Sequence, residues 1–161
     1  MSTTRIGRHI NAPRSTVYRL LLDADSVKAW MVPDDMAKAS RVHRFEPHEG
    51  GAFSITLIYD DAADADTADA QHDAYYGRFL SLTPDERIVE VLEFVTVRPE
   101  MSGAQTVTFT LTDSADGGTD LDVLHEDVPP GLSPPDNEIG WRTALTKLVA
   151  LAEHGSLAGQ Q

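Results

Sequence analysis

A helical period that runs unbroken from Pro135 to His154 limits what this chain can become more than any other stretch. Trp141, Leu145, Leu148 and Ala152 recur at steps of four, three and four, which places them on one stripe of a helix. Ala144 and Leu151 widen the stripe, while Arg142, Lys147 and Glu153 lie off it. Ser133 is a capping side chain, Pro134 suits the first helical position, Asp136 follows three residues after the cap, and Gly155 supplies a stop. From Asp136 to His154 is 19 residues, a rod of about 28 Å, long enough to cross a whole sheet. Gly140, one residue before Trp141, is expected to let this helix approach a strand closely. An apolar stripe of that length needs an apolar surface of matching length, and the segments before Pro129 supply it.

Those segments read mostly as strands. Thr4 to Ile10 is the first, with Ile6 and Ile10 on one face. Asn11-Ala12-Pro13 opens a helix with Val17, Leu20 and Leu21 as its apolar stripe, ending at Asp23 or Ala24. A second short helix spans about Asp25 to Met31, carries Trp30 near its end and is stopped by Pro33. From Ser40 the period changes to two. Arg41 to Glu46 and Ala52 to Tyr59 flank a Gly50-Gly51 turn, with Phe53, Ile55, Leu57 and Tyr59 sharing a face. Ala74 to Leu82 and Arg87 to Val95 flank the turn Thr83-Pro84-Asp85-Glu86. Gln105 to Thr112 points Val107, Phe109 and Leu111 inward; Asp116-Gly117-Gly118 then turns into Thr119 to Glu126, where Leu121, Val123 and His125 share a face. The order is strand, two short helices, six strands, long helix. An antiparallel sheet curved around the last helix satisfies it, an α+β fold with the short helices closing one end.

Charge and composition remove whole classes of function. The 161 residues make one domain, long enough to bury roughly 70% of the surface the unfolded chain exposes. With 26 acidic against 13 basic residues the net charge is −13, which argues against nucleic acid and anionic membrane surfaces. There is no cysteine, so no thiol nucleophile, disulfide or thiolate metal site exists. No apolar signal core follows Met1 and no run reaches the length of a membrane span, so a cytoplasmic location is expected. The six histidines are scattered without the spacing of a helical metal pair, and no metal or other cofactor is expected. Asp60 to Asp73 is rich in Asp and Ala and reads as a solvated loop, lacking the ligand pattern of a calcium hand. No nucleophile elbow, phosphate loop or dinucleotide fingerprint is present.

Six landmarks in order resemble the family named for the activator of heat-shock-protein-90 ATPase, within the START-like (SRPBCC, helix-grip) superfamily. They are Ile10-Asn11-Ala12-Pro13 with Val17-Tyr18; Trp30; Gly50-Gly51-Ala52-Phe53; Gly77 with Leu82-Thr83-Pro84-Asp85-Glu86-Arg87-Ile88; Gly118 through His125; and Gly140-Trp141. Together they cover Arg5 to Glu153. The resemblance implies a helix-grip fold: about seven antiparallel strands wrapped on the long C-terminal helix, one START-like domain with its core over about 5–154. The acidic stretch 60–73 is longer than the family pattern, so no partner surface transfers there.

A curved sheet closed over a helix leaves space that side chains need not fill. The expected lining is Phe53, Ile55, Leu57, Phe79, Val107, Phe109, Leu121, Val123, His125, Trp141, Leu145 and Leu148, set against the plainer alternative of a packed core. His125 continues the inward register and can orient a ligand carbonyl or exchange a proton; the alternative is a histidine bonded to a backbone carbonyl. Arg41, His43, Glu90 and Glu93 also lie on strands, and Glu90 and Glu93 face opposite ways on a regular strand. A buried carboxylate there has to be paired, with Arg78 as a candidate, or neutral. Three functions follow: a protein holding an apolar or amphipathic small molecule between sheet and C-terminal helix; a cyclase- or hydrolase-type enzyme using polar cavity groups; and a chaperone-regulating interaction module, as monomer or homodimer. The first is preferred, because no partner-specific motif is visible.

Overall fold

The computed structural model describes residues 2–31, 41–58 and 72–154. The chain runs β1 (Ser2–Ile10), α1 (Arg14–Leu21), α2 (Ala24–Met31), β2 (Arg41–Phe45), β3 (Ala52–Ile58), β4 (His72–Thr83), β5 (Arg87–Val95), β6 (Gln105–Asp113), β7 (Thr119–Val128) and α3 (Pro134–His154). The expected loop 60–73 lies outside the described residues except at its end, where His72 and Asp73 already belong to β4. Tyr59 and the stop at Gly155 also fall outside them.

The seven described strands form one antiparallel sheet in the order β1-β7-β6-β5-β4-β3-β2. Each hairpin from β2 to β7 pairs sequence neighbours, and β1 joins the far edge beside β7. The two short helices lie in the chain between the strands that form the two edges. This is the helix-grip arrangement, with the sheet wrapped on the long helix α3. Alternation along β6 and β7 is regular: Val107, Phe109, Leu111, Leu121, Val123 and His125 are all buried.

α3 begins as its residues dictate. The Asp136 N–H donates to Ser133 Oγ at 3.3 Å, and the Asn137 N–H donates to the Ser133 carbonyl at 2.9 Å. Its buried face is Asn137, Trp141, Ala144, Leu145 and Leu148, packed against β1, α1 and α2. Asp23 caps α2, accepting from the N–H and the hydroxyl of Ser26.

Two glycines correct and sharpen the reading from sequence. Gly140 does not bring α3 close to a strand: it is exposed, and a Cβ built there meets nothing within 4 Å. Its cost is therefore only the helix-interior entropy of glycine, and Gly140→Ala is expected to stabilise the fold by about 0.5–1 kcal/mol. A denaturant melt that shows a loss would mean the position is crowded. Close approach is required instead at Gly77, where a Cβ would collide with the Val91 carbonyl and reach within 2.7 Å of the Phe53 ring. Phe53 is paired with Gly77 across the ladder and lays its ring over the missing side chain.

Candidate functional site

Strand register decides which polar groups point inward. The pairs Phe79↔Glu90, Glu90↔Val107, Val107↔His125 and His125↔Thr4 line up as one row across five strands. Phe79, Val107, His125 and Thr4 are buried, so Glu90 lies on the inner face among them. Glu90 and His125 are two strands apart, about 10 Å, with Val107 between them. Glu93 pairs with exposed Tyr76, on the opposite face. Arg78 is exposed and pairs with Val91, so it is no partner for Glu90.

Glu90 opens onto a small cavity. The space has a volume of about 20 Å³, room for about one water molecule. Its walls are largely aromatic: Trp30 from α2, Phe45 from β2, Phe53 from β3, Tyr75 from β4 and Phe109 from β6. Leu21, Val27, Met31 and Ile55 complete it. Trp30 is fixed by donating its Nε1–H to the Leu20 carbonyl at 3.1 Å and by an edge-on contact with Phe109. Phe53 stacks obliquely on Phe79 and edge-on against Tyr75.

Two polar groups face this apolar space without partners. The Tyr75 hydroxyl is fully buried and makes no hydrogen bond; Glu90 is part-buried, and no described side chain bonds its carboxyl. Burial pushes the carboxyl up to about 8. Burial, and then the nearby Glu90 charge, raise the phenol as well. A carboxyl taken out of water without a cation beside it holds its proton at neutral pH.

His125 has a different setting. Trp141 Nε1–H donates to His125 Nδ1 at 3.1 Å, and Asn137 Nδ2 lies 3.0 Å from the same nitrogen and 3.0 Å from Thr4 Oγ1. Nδ1 therefore carries the lone pair, and Nε2–H donates to Gln105 Oε1 at 2.7 Å. Burial holds the imidazole down to about 4, the Asn137 contact opposing the shift in part. Both ring nitrogens are committed, which makes this ring a clamp between the first turns of α3 and strands β1, β6 and β7. The one buried atom of the cluster left over is Gln105 Nε2.

Of the residues expected to line a cavity, Phe53, Ile55 and Phe109 do so. Phe79, Val107, Leu121, Val123, Leu145 and Leu148 are buried in the core, and Trp141 is buried against Phe109 and His125, none of them on this cavity. The side chains of Leu57 and Arg41 lie outside the described residues. The expected location shifts accordingly: this space lies between the sheet and α1–α2, with no residue of α3 in its wall. His43 binds Thr56 Oγ1 on the surface. Among the described residues no group of three His, Asp or Glu is placed to hold a metal.

Asn137 and Tyr75 were not singled out from the sequence, although Asn137 had a signal. It stands four residues before Trp141, on the same stripe, where a polar side chain must find a buried partner. Tyr75 had one too: it stands four residues before Phe79 on one strand, and period-two alternation puts both on the inner face.

The profile described as Activator of Hsp90 ATPase homolog 1-like protein matches residues 11–153. No curated protein matches the sequence. Among solved structures, Protein CV1439 from Chromobacterium violaceum is 29% identical, with 95% of this chain and 99% of that one covered and a TM-score of 0.80. A protein from Arthrobacter aurescens solved by NMR is 15% identical, with 96% and 88% covered and a TM-score of 0.72, a likeness of fold alone.

Proposed function

The chain belongs to the Activator of Hsp90 ATPase homolog 1-like family, and from that premise we propose that it binds a small amphipathic molecule between the sheet and α1–α2. The observation that carries this is the Tyr75 hydroxyl, fully buried and unbonded, beside the unpaired Glu90 carboxyl in an aromatic enclosure. Buried polar side chains are almost always satisfied, and leaving one unsatisfied costs about 1–3 kcal/mol. A fold that keeps such a hydroxyl, with a part-buried carboxyl lining the same space, is suited to a ligand that bonds both.

The enclosure admits only about 20 Å³, so binding requires α2 to move, with Trp30 and Met31 leaving the sheet. Met31, unbranched and only half-buried, is the part of the wall that repacks most readily. His125 holds α3 in place and does not contact the ligand.

Native mass spectrometry of freshly purified protein tests this reading. The expected spectrum contains a species heavier than the chain by one small molecule, released on unfolding. Ile55→Phe, which fills the enclosure, is expected to remove that species while the protein stays folded. A spectrum showing the bare chain alone, or an adduct indifferent to the filling, would contradict it.

A further inference from the structure

Five aromatic side chains line the same enclosure as Glu90: Trp30, Phe45, Phe53, Tyr75 and Phe109. Rings of this kind present negative π faces, which attract cations more strongly as water is removed. A carboxyl with no basic side chain beside it supplies the matching counter-charge. Neutral apolar ligands need neither feature. Resting on the reading of the enclosure as a ligand site, we infer that its ligand is a small organic cation, an alkylammonium group on an apolar body, with Glu90 as the counter-ion and the aromatic walls as its cage.

Three observations agree with that class. The lining contains no lysine, arginine or histidine, so nothing in the wall competes for the carboxylate. Tyr75 is the other titratable group lining the space, and its hydroxyl accepts a second ammonium hydrogen. The chain as a whole carries −13, which favours the approach of cations.

Binding of a cation then has a protonic signature. The unliganded carboxyl holds its proton at pH 7, and an ammonium arriving beside it drives that proton out to solvent. The ligand keeps its own proton, as an alkylammonium does at neutral pH. Near one proton is released for each molecule bound.

Calorimetry with benzylamine and benzyl alcohol, which share an apolar body and differ in charge, tests the inference on the intact chain. Benzylamine is expected to bind at least about tenfold more tightly than the alcohol. Its heat at pH 7 should vary between buffers of different ionisation enthalpy, as release of a proton requires. Glu90→Gln, which keeps shape and removes charge, should abolish both the preference and the buffer dependence. Equal affinities in the unaltered chain, or a preference for the alcohol, would overturn the cation and leave the ligand site standing. Binding of neither probe, with a co-purifying adduct still present, would also overturn the cation alone. Binding of neither, with no adduct, would overturn both and leave a single water as the partner of Glu90 and Tyr75.

Discussion

Trp141→Ala is expected to lower the stability of the fold by about 3–5 kcal/mol, as measured by denaturant melts. The indole is 6% exposed and packs edge-on against Phe109 at 5.9 Å and against His125 at 5.9 Å. Removing it opens a void in the clamp that joins α3 to the sheet and withdraws one of the two donors to His125 Nδ1. Trp141→Phe separates the two effects. It keeps most of the ring and loses only the donor, and because Asn137 still bonds Nδ1 the expected cost of the lost bond is about 1 kcal/mol. An alanine variant as stable as the unaltered chain would mean that the stripe on α3 is not what the sheet closes upon.

A second large effect comes from Glu90 and is read through pH. Between 4.5 and about 8 the native chain keeps a proton on Glu90 that the unfolded chain has released, so stability falls as pH rises. His125 works in the opposite sense. Its unfolded imidazole binds a proton below 6.5 and the native one only below about 4, so stability falls as pH drops through that range. Between 4.5 and 6.5 the two groups together hold one proton in either state, and their effects cancel. From 6.5 to about 8 only the Glu90 difference remains, at about 1.4 kcal/mol per pH unit, a loss of roughly 2 kcal/mol.

Exposed His9 adds to that loss, because its hydrogen bonds to Asp120 and Asn11 raise its imidazole. It does so equally in any Glu90 variant, so a comparison isolates Glu90. Glu90→Gln is expected to remove most of the decline above pH 6.5, to uncover the His125 rise from pH 4 to 6.5, and to exceed the unaltered chain at pH 8 by roughly 3–5 kcal/mol. Urea melts at pH 5, 6.5 and 8 check this. Parallel profiles for the two chains would show that the carboxyl titrates in water.

What the residues announced and what they withheld divide along physical lines. The capped stripe from Ser133 to Leu148 was legible because a helix is a local object, and its cap and period lie within about fifteen residues of one another. Strand pairs around Gly50-Gly51 and Gly117-Gly118 were legible for the same reason. Glu90 was visible as one of two opposed carboxylates, but its face depends on the Phe79↔Glu90 and Glu90↔Val107 pairings, which the alternation of Val, Leu and Glu in β5 does not fix. The enclosure itself was placed against the wrong helix. Periodicity shows that Trp141, Leu145 and Leu148 are buried, but not that α3 packs its stripe tightly while α2 leaves room beside Trp30. His125 was found through its register. Its three side-chain partners were not, because Gln105, Asn137 and Trp141 come from two other elements.

The proposed ligand site depends on an unpaired Glu90 carboxyl held on the inner face of the sheet. The most direct measurement is the carbon-13 NMR titration of the Glu90 side-chain carboxyl from pH 4 to 9, assigned by its loss in Glu90→Gln. A midpoint near 8 is expected in the ligand-free chain, with a shift to lower pH when benzylamine is bound. A midpoint near the ordinary value of about 4.5, unmoved by the amine, would contradict the proposed site, because Glu90 would then be a solvated carboxylate and the enclosure would hold no counter-ion.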